Sequence, residues 1–75
     1  MIVELPHGER VEMIAPVDLV RAARPDLSRS ACRRLLEQGA VEYDEERLGH
    51  QGLVEIRTGL LLHIGKRGWW RLIVE

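Results

Sequence analysis

Residues 28–41 read SRSACRRLLEQGAV, and this stretch decides the fold because it reads as one short capped helix with a basic outer face. At about 100° per residue, Ala31, Cys32, Leu35 and Leu36 fall within one arc of roughly 140°, while Arg29, Ser30, Arg33, Arg34, Glu37 and Gln38 occupy the other side. Ser28 is a favoured N-cap whose hydroxyl accepts a hydrogen bond from an unpaired N–H of the first turn. Gly39 follows the last periodic residue, where a left-handed backbone costs a glycine little. Leu35 lies on the apolar arc and is expected in the core, so that Leu35→Ala costs roughly 2–5 kcal/mol.

The charge is unevenly placed. Residues 21–34 carry Arg21, Arg24, Arg29, Arg33 and Arg34 against Asp26 alone, a local net charge of +4 in a chain whose total is −1. A near-neutral total argues against a polyanionic partner only when the charge is spread evenly. Guanidinium groups on one exposed helix side suit phosphate. The alternative is a solvated face paired with Glu37 and other acids.

Outward from this helix, Pro16 suits a first helical turn, and Val17, Leu19, Val20, Ala22 and Ala23 give an apolar side of about two turns. Pro25 ends it, because the residue before a proline is pushed out of the helical region. Residues 1–14 read as two short extended pieces joined by a turn at Pro6, His7 and Gly8. After Gly39 the period becomes extended. Val41 and Tyr43 form a short strand, Asp44-Glu45-Glu46-Arg47 a turn, residues 49–52 a loop, and Leu53, Val54 and Ile56 another extended piece. The β-prone runs at residues 60–64 and 69–74 flank Gly65-Lys66-Arg67-Gly68 and predict a hairpin with a cationic tip.

Seventy-five residues, 45% hydrophobic and 31% charged, make a single domain over residues 1–75 with a small core. No apolar run approaches the length of a membrane span and the N-terminal residues carry an acid, so no membrane association and a cytoplasmic location are expected. Cys32 on the apolar arc is expected to be a buried, inert thiol. His7, His50 and His63 share no metal-ligand spacing with one another or with Cys32, so no metal and no cofactor are expected. The acids Glu42, Asp44, Glu45 and Glu46 read as a solvated turn. Trp69 and Trp70 are adjacent on a strand and face opposite sides. One is expected in the core, the other as a surface anchor or a stacking platform.

With these residues placed, the chain resembles the S-four RNA-binding domain, whose core helix is similar to Ser28-Arg29-Ser30-Ala31-Cys32-Arg33-Arg34-Leu35-Leu36 followed by a polar pair, glycine and a valine-containing strand. Val17-Asp18-Leu19-Val20-Arg21-Ala22-Ala23 is similar to its first helix. The ending Ile64-Gly65-Lys66-Arg67, followed by aromatic and aliphatic residues, resembles the version at the C-terminus of bacterial tyrosyl-tRNA synthetases. The chain departs from the pattern at Ala31, where the family has glutamate, at Asp44-Glu45, where asparagine-glycine is common, and at the Arg24-Pro25-Asp26 link.

The resemblance implies an α+β module with two packed short helices against a small, strongly bent antiparallel sheet. It also implies a structured RNA, tRNA above all, lying on the basic face, with a docked or covalently linked synthetase catalytic domain as a further partner. The RNA-binding set is Arg24, Ser28, Arg29, Ser30, Arg33, Arg34, Gln38, Lys66 and Arg67. Lys66 and Arg67 are either solubilising charges or a second phosphate clamp, continuous with the first if the sheet folds back toward the helix. The chain has no nucleotide-binding loop and no nucleophile with a partnered base, so no enzymatic activity is expected of it. A ribosomal-RNA binder and a protein-interaction module that pairs the basic face with an acidic partner are the other readings.

Overall fold

The computed structural model describes residues 2–5, 12–66 and 68–74. Two helices, α1 (Pro16–Ala23) and α2 (Arg29–Glu37), are followed by β3 (Val41–Tyr43), β4 (Glu46–Arg47), β5 (Val54–Ile56), β6 (Leu61–Ile64) and β7 (Gly68–Val74); β1 (Ile2–Leu5) and β2 (Glu12–Ile14) precede them. This is the α+β architecture expected, with two packed helices. The strands form two small sheets, one of five strands in the order β1-β7-β6-β3-β4 and one of β2 with β5. The first two extended pieces therefore exist but do not pair with each other. β1 joins β7 in parallel and β2 joins β5 antiparallel, a long-range choice that local alternation does not encode. The turn expected at Pro6, His7 and Gly8 lies outside the described residues.

α2 begins and ends as its sequence dictates. The Ser28 hydroxyl accepts a hydrogen bond from the Ala31 N–H at 3.1 Å. At the other end Gly39 has φ 73°, its N–H bonds the Leu36 carbonyl at 3.1 Å, and the Ala40 N–H bonds the Leu35 carbonyl at 3.0 Å. These paired bonds around a left-handed glycine close the last turn in the Schellman pattern.

The core lies between the helices and one face of the large sheet. Leu19 and Val20 from α1, Cys32 and Leu36 from α2, and Val41, Leu62, Ile64, Trp70 and Leu72 from the strands are buried together. The wheel reading needs one correction. Cys32 and Leu36 carry the buried axis of α2, whereas Ala31 and Leu35 are only half-buried. A helix lying on a single sheet face and one neighbouring helix buries a narrower arc than its apolar residues span.

The expected four-residue turn at 44–47 is a two-residue one. β4 begins at Glu46, and Asp44 and Glu45 have φ 52° and 69°, as a type I′ hairpin turn requires. In the closing hairpin Ile64 pairs with Gly68, so β7 begins at the glycine expected in the loop. Gly68 is required there because a Cβ would collide with the Trp70 indole.

Candidate nucleic-acid interface

The structure divides the predicted residues between two sides of α2 and the tip of the β6–β7 hairpin. On one side Arg24, Arg34 and Gln38 stand around a shallow groove of about 260 Å³ floored by Leu27, Ala31 and Leu35. On the other, Arg29, Ser30 and Arg33 line a second depression against Val17 of α1. The partial exposure of Leu35 thus has a place in the site: it packs against the edge of the core and floors the first groove.

Tertiary pairing reduces the charge seen along the sequence. Arg24 binds Asp26 through two parallel bonds of 3.1 and 3.0 Å. Arg29 reaches Asp18 on α1 at 2.6 Å, a contact that also ties the two helices. Arg33 meets Glu37 one turn on at 3.5 Å, and the same carboxylate lies 3.6 Å from the His50 ring. Arg21 donates to the Leu27 carbonyl at 3.1 Å. Arg34 is exposed and its guanidinium, among the described residues, has no hydrogen-bond or ion-pair partner. Among the described residues, Arg24, Arg29 and Arg33 are thus held by carboxylates and Arg21 by a carbonyl, which leaves Arg34 as the unpaired guanidinium of this segment.

Those pairs are at the surface, where an exposed ion pair is worth only about 0–1 kcal/mol. A backbone phosphodiester, whose charge is shared by two oxygens that fit a guanidinium, therefore competes for the same groups. The hydrogen bond from Arg24 holds the Asp26 carboxyl below its ordinary range. At the N-terminal end of α2 the N–H groups of Arg29 and Ser30, which have no partner within the helix, and the positive end of its dipole add to the attraction for anions.

The start of the closing hairpin lies beside the C-terminal end of α2 because β6 pairs with β3, the strand that follows that helix. The Gly65 N–H bonds the Ala40 carbonyl at 2.8 Å, and Lys66 lines a depression with Gly39 and Ala40 at the C-terminal end of α2. Lys66 is exposed and Arg67 lies outside the described residues. Sequence reasoning missed Arg47, whose side chain lies across Gly39: a Cβ there would sit 3.2 Å from Arg47 Nε. Nothing local marks Arg47, since only the pairing of β4 with β3 brings it there. Lys66 and Arg47 both stand where a helix C-terminus favours cations.

On the outer face of the large sheet, Arg47, Glu42, His63 and Trp69 form one cross-strand row. Trp70 is buried at 6% exposure and Trp69 is half exposed at 50%. The Trp69 indole stacks on His63 with ring centroids 3.8 Å apart and planes within 7°. Cys32 is fully buried and burial raises its thiol pKa, as expected of an inert thiol. Among the described residues no three His, Cys, Asp or Glu side chains gather as a metal site, and no helix is long and apolar enough to cross a membrane.

The chain matches no profile of a known protein family. It is 36% identical over 69 residues to tyrosine–tRNA ligase 2 of Photorhabdus laumondii subsp. laumondii, an alignment that covers 91% of this chain and 16% of that protein. The chain thus spans about a sixth of the length of the curated relative that it matches, and its similarity is to one part of an aminoacyl-tRNA ligase.

Proposed function

We propose that this chain is an RNA-binding module of the S-four type that holds tRNA for a tyrosyl-tRNA synthetase, seating the backbone of the variable arm and anticodon stem against α2. The observation that carries the reading is Arg34: an exposed guanidinium, unpartnered among the described residues, beside Gln38 and Arg24 on a helix with intact caps, in a chain similar to part of a tyrosine–tRNA ligase. Phosphate is the ligand whose charge and geometry fit that group, and contacts to phosphate follow the shape of a folded RNA more than its base sequence. The chemistry of aminoacylation belongs to other parts of such an enzyme; this chain supplies binding. Its place of work on this reading is the cytoplasm.

Arg34→Ala tests the reading directly. With unfractionated tRNA, the substitution is expected to raise Kd about tenfold at low salt, as the loss of a charged contact does, and to reduce the slope of log K against log salt by about one. An unchanged Kd and slope would show that Arg34 does not hold phosphate, and no binding of tRNA by the wild-type chain at low salt would remove RNA and favour an acidic protein partner.

A further inference from the structure

Trp69 is a large apolar side chain left half exposed on the outer face of the sheet, on the opposite side of β7 from the core. Its exposure is of a particular kind. One face of the indole is covered by His63, so the exposed surface is the opposite face and the ring edge. The strand beyond β7 is β1, which starts at Ile2 opposite Arg71 and runs away from Trp69, so no described residue of β1 stands beside the indole. Among the described residues, the row of side chains that begins at Arg47 therefore ends in an open aromatic plane.

That plane is held in position. His63 is mostly buried, its Nδ1 lies 3.4 Å from a Glu42 carboxylate oxygen, and the parallel stack fixes the indole against it. A ring already fixed loses little freedom when a second ring stacks on it. Two cations neighbour the stack: Lys66, in the turn before Trp69, lines a depression with Glu42 and His63, and Arg71, two residues after Trp69 on the same face, donates to the Gly59 carbonyl at 3.1 Å. The only carboxylate in the row, Glu42, is behind His63, away from the open plane.

We propose that Trp69 is a stacking platform for one unpaired base of the bound RNA, with Lys66 and Arg71 placed for the flanking phosphates. The proposal rests on the RNA-binding reading above and adds a second contact, separate from α2. An aromatic plane with cations near it is suited to a nucleotide, since the base meets the π-face and its phosphates meet the charge.

The test uses two probes with the 75-residue chain: a blunt RNA duplex of about sixteen base pairs, and the same duplex carrying a 3′ overhang of three adenosines. The wild-type chain is expected to bind the overhang duplex about tenfold more tightly, the effect of one base–aromatic stack, with quenching of tryptophan emission. Trp69→Ala is expected to abolish that difference while leaving the blunt-duplex Kd unchanged, and Trp69→Phe to retain most of it. Equal wild-type affinities, or a loss in Trp69→Ala shared by both probes, would overturn the platform while leaving RNA binding through α2 in place. Failure of the wild-type chain to bind either duplex at low salt would overturn both.

Discussion

The Tyr43 hydroxyl on β3 donates a hydrogen bond to the Glu55 carbonyl on β5 at 2.7 Å, and so joins the five-stranded sheet to the two-stranded one. The phenol is buried, and burial raises its pKa above the ordinary value near 10. A group whose folded pKa is raised contributes stability that is complete below the unfolded value and is lost as the pH rises through the folded one. Tyr43→Phe is therefore expected to cost about 1 kcal/mol at pH 7 and to remove the part of the alkaline destabilisation that begins near pH 10. Urea titrations at pH 7 and above pH 10 measure both; an unaltered alkaline limb would mean that the hydroxyl does not join the sheets.

The turn between β3 and β4 puts two residues with side chains, Asp44 and Glu45, at positive φ. A left-handed backbone costs a non-glycine residue about 1–2 kcal/mol. Replacing the pair by Asn-Gly should raise stability by about 1 kcal/mol, allowing for the extra freedom glycine gives the unfolded chain. In a domain of this size that is a rise in Tm of about 4–8 °C. A lower Tm would show that the turn has a different geometry.

Leu36 and Leu35 are neighbours on α2 with different surroundings. Leu36 is buried among the core side chains, and Leu36→Ala should cost about 2–5 kcal/mol. Leu35 floors the groove beside Arg34, and Leu35→Ala should cost less than about 1.5 kcal/mol. Thermal melts of the two variants decide the order; the reverse order would mean that α2 is rotated about its axis.

Asp26 neutralises Arg24 beside the same groove. Asp26→Asn is expected to release the guanidinium and to lower the Kd for tRNA several-fold at low salt, with a smaller gain at high salt. A weaker interaction with tRNA would indicate that the ion pair positions Arg24 for phosphate. Because the folded carboxyl has a lowered pKa, whatever stability the pair gives is present above the ordinary carboxylate range and is lost as the pH falls through the folded value.

The helices, their caps and the closing hairpin were legible because each is governed by residues close in sequence: Ser28 to Ala31, Leu35 to Gly39, Ile64 to Gly68. The partition of the two tryptophans followed from strand alternation. What sequence could not supply was decided at long range. The parallel pairing of β1 with β7, the Arg29–Asp18 contact and the position of Arg47 over Gly39 all depend on tertiary register. The arginine count along residues 21–34 likewise overstated the free charge: Glu37, the partner that helical spacing already offered, meets Arg33, and Asp18 meets Arg29 only in the fold.

The most direct test of the central claim is a titration of the chain against two tRNAs, a tyrosine tRNA with a long variable arm and a tRNA with a short one, each at two salt concentrations. The account predicts tighter binding of the long-arm tRNA and a steep loss of affinity with salt, from the release of counterions by several phosphates. Equal affinities for the two, or binding that salt leaves unchanged, would contradict it.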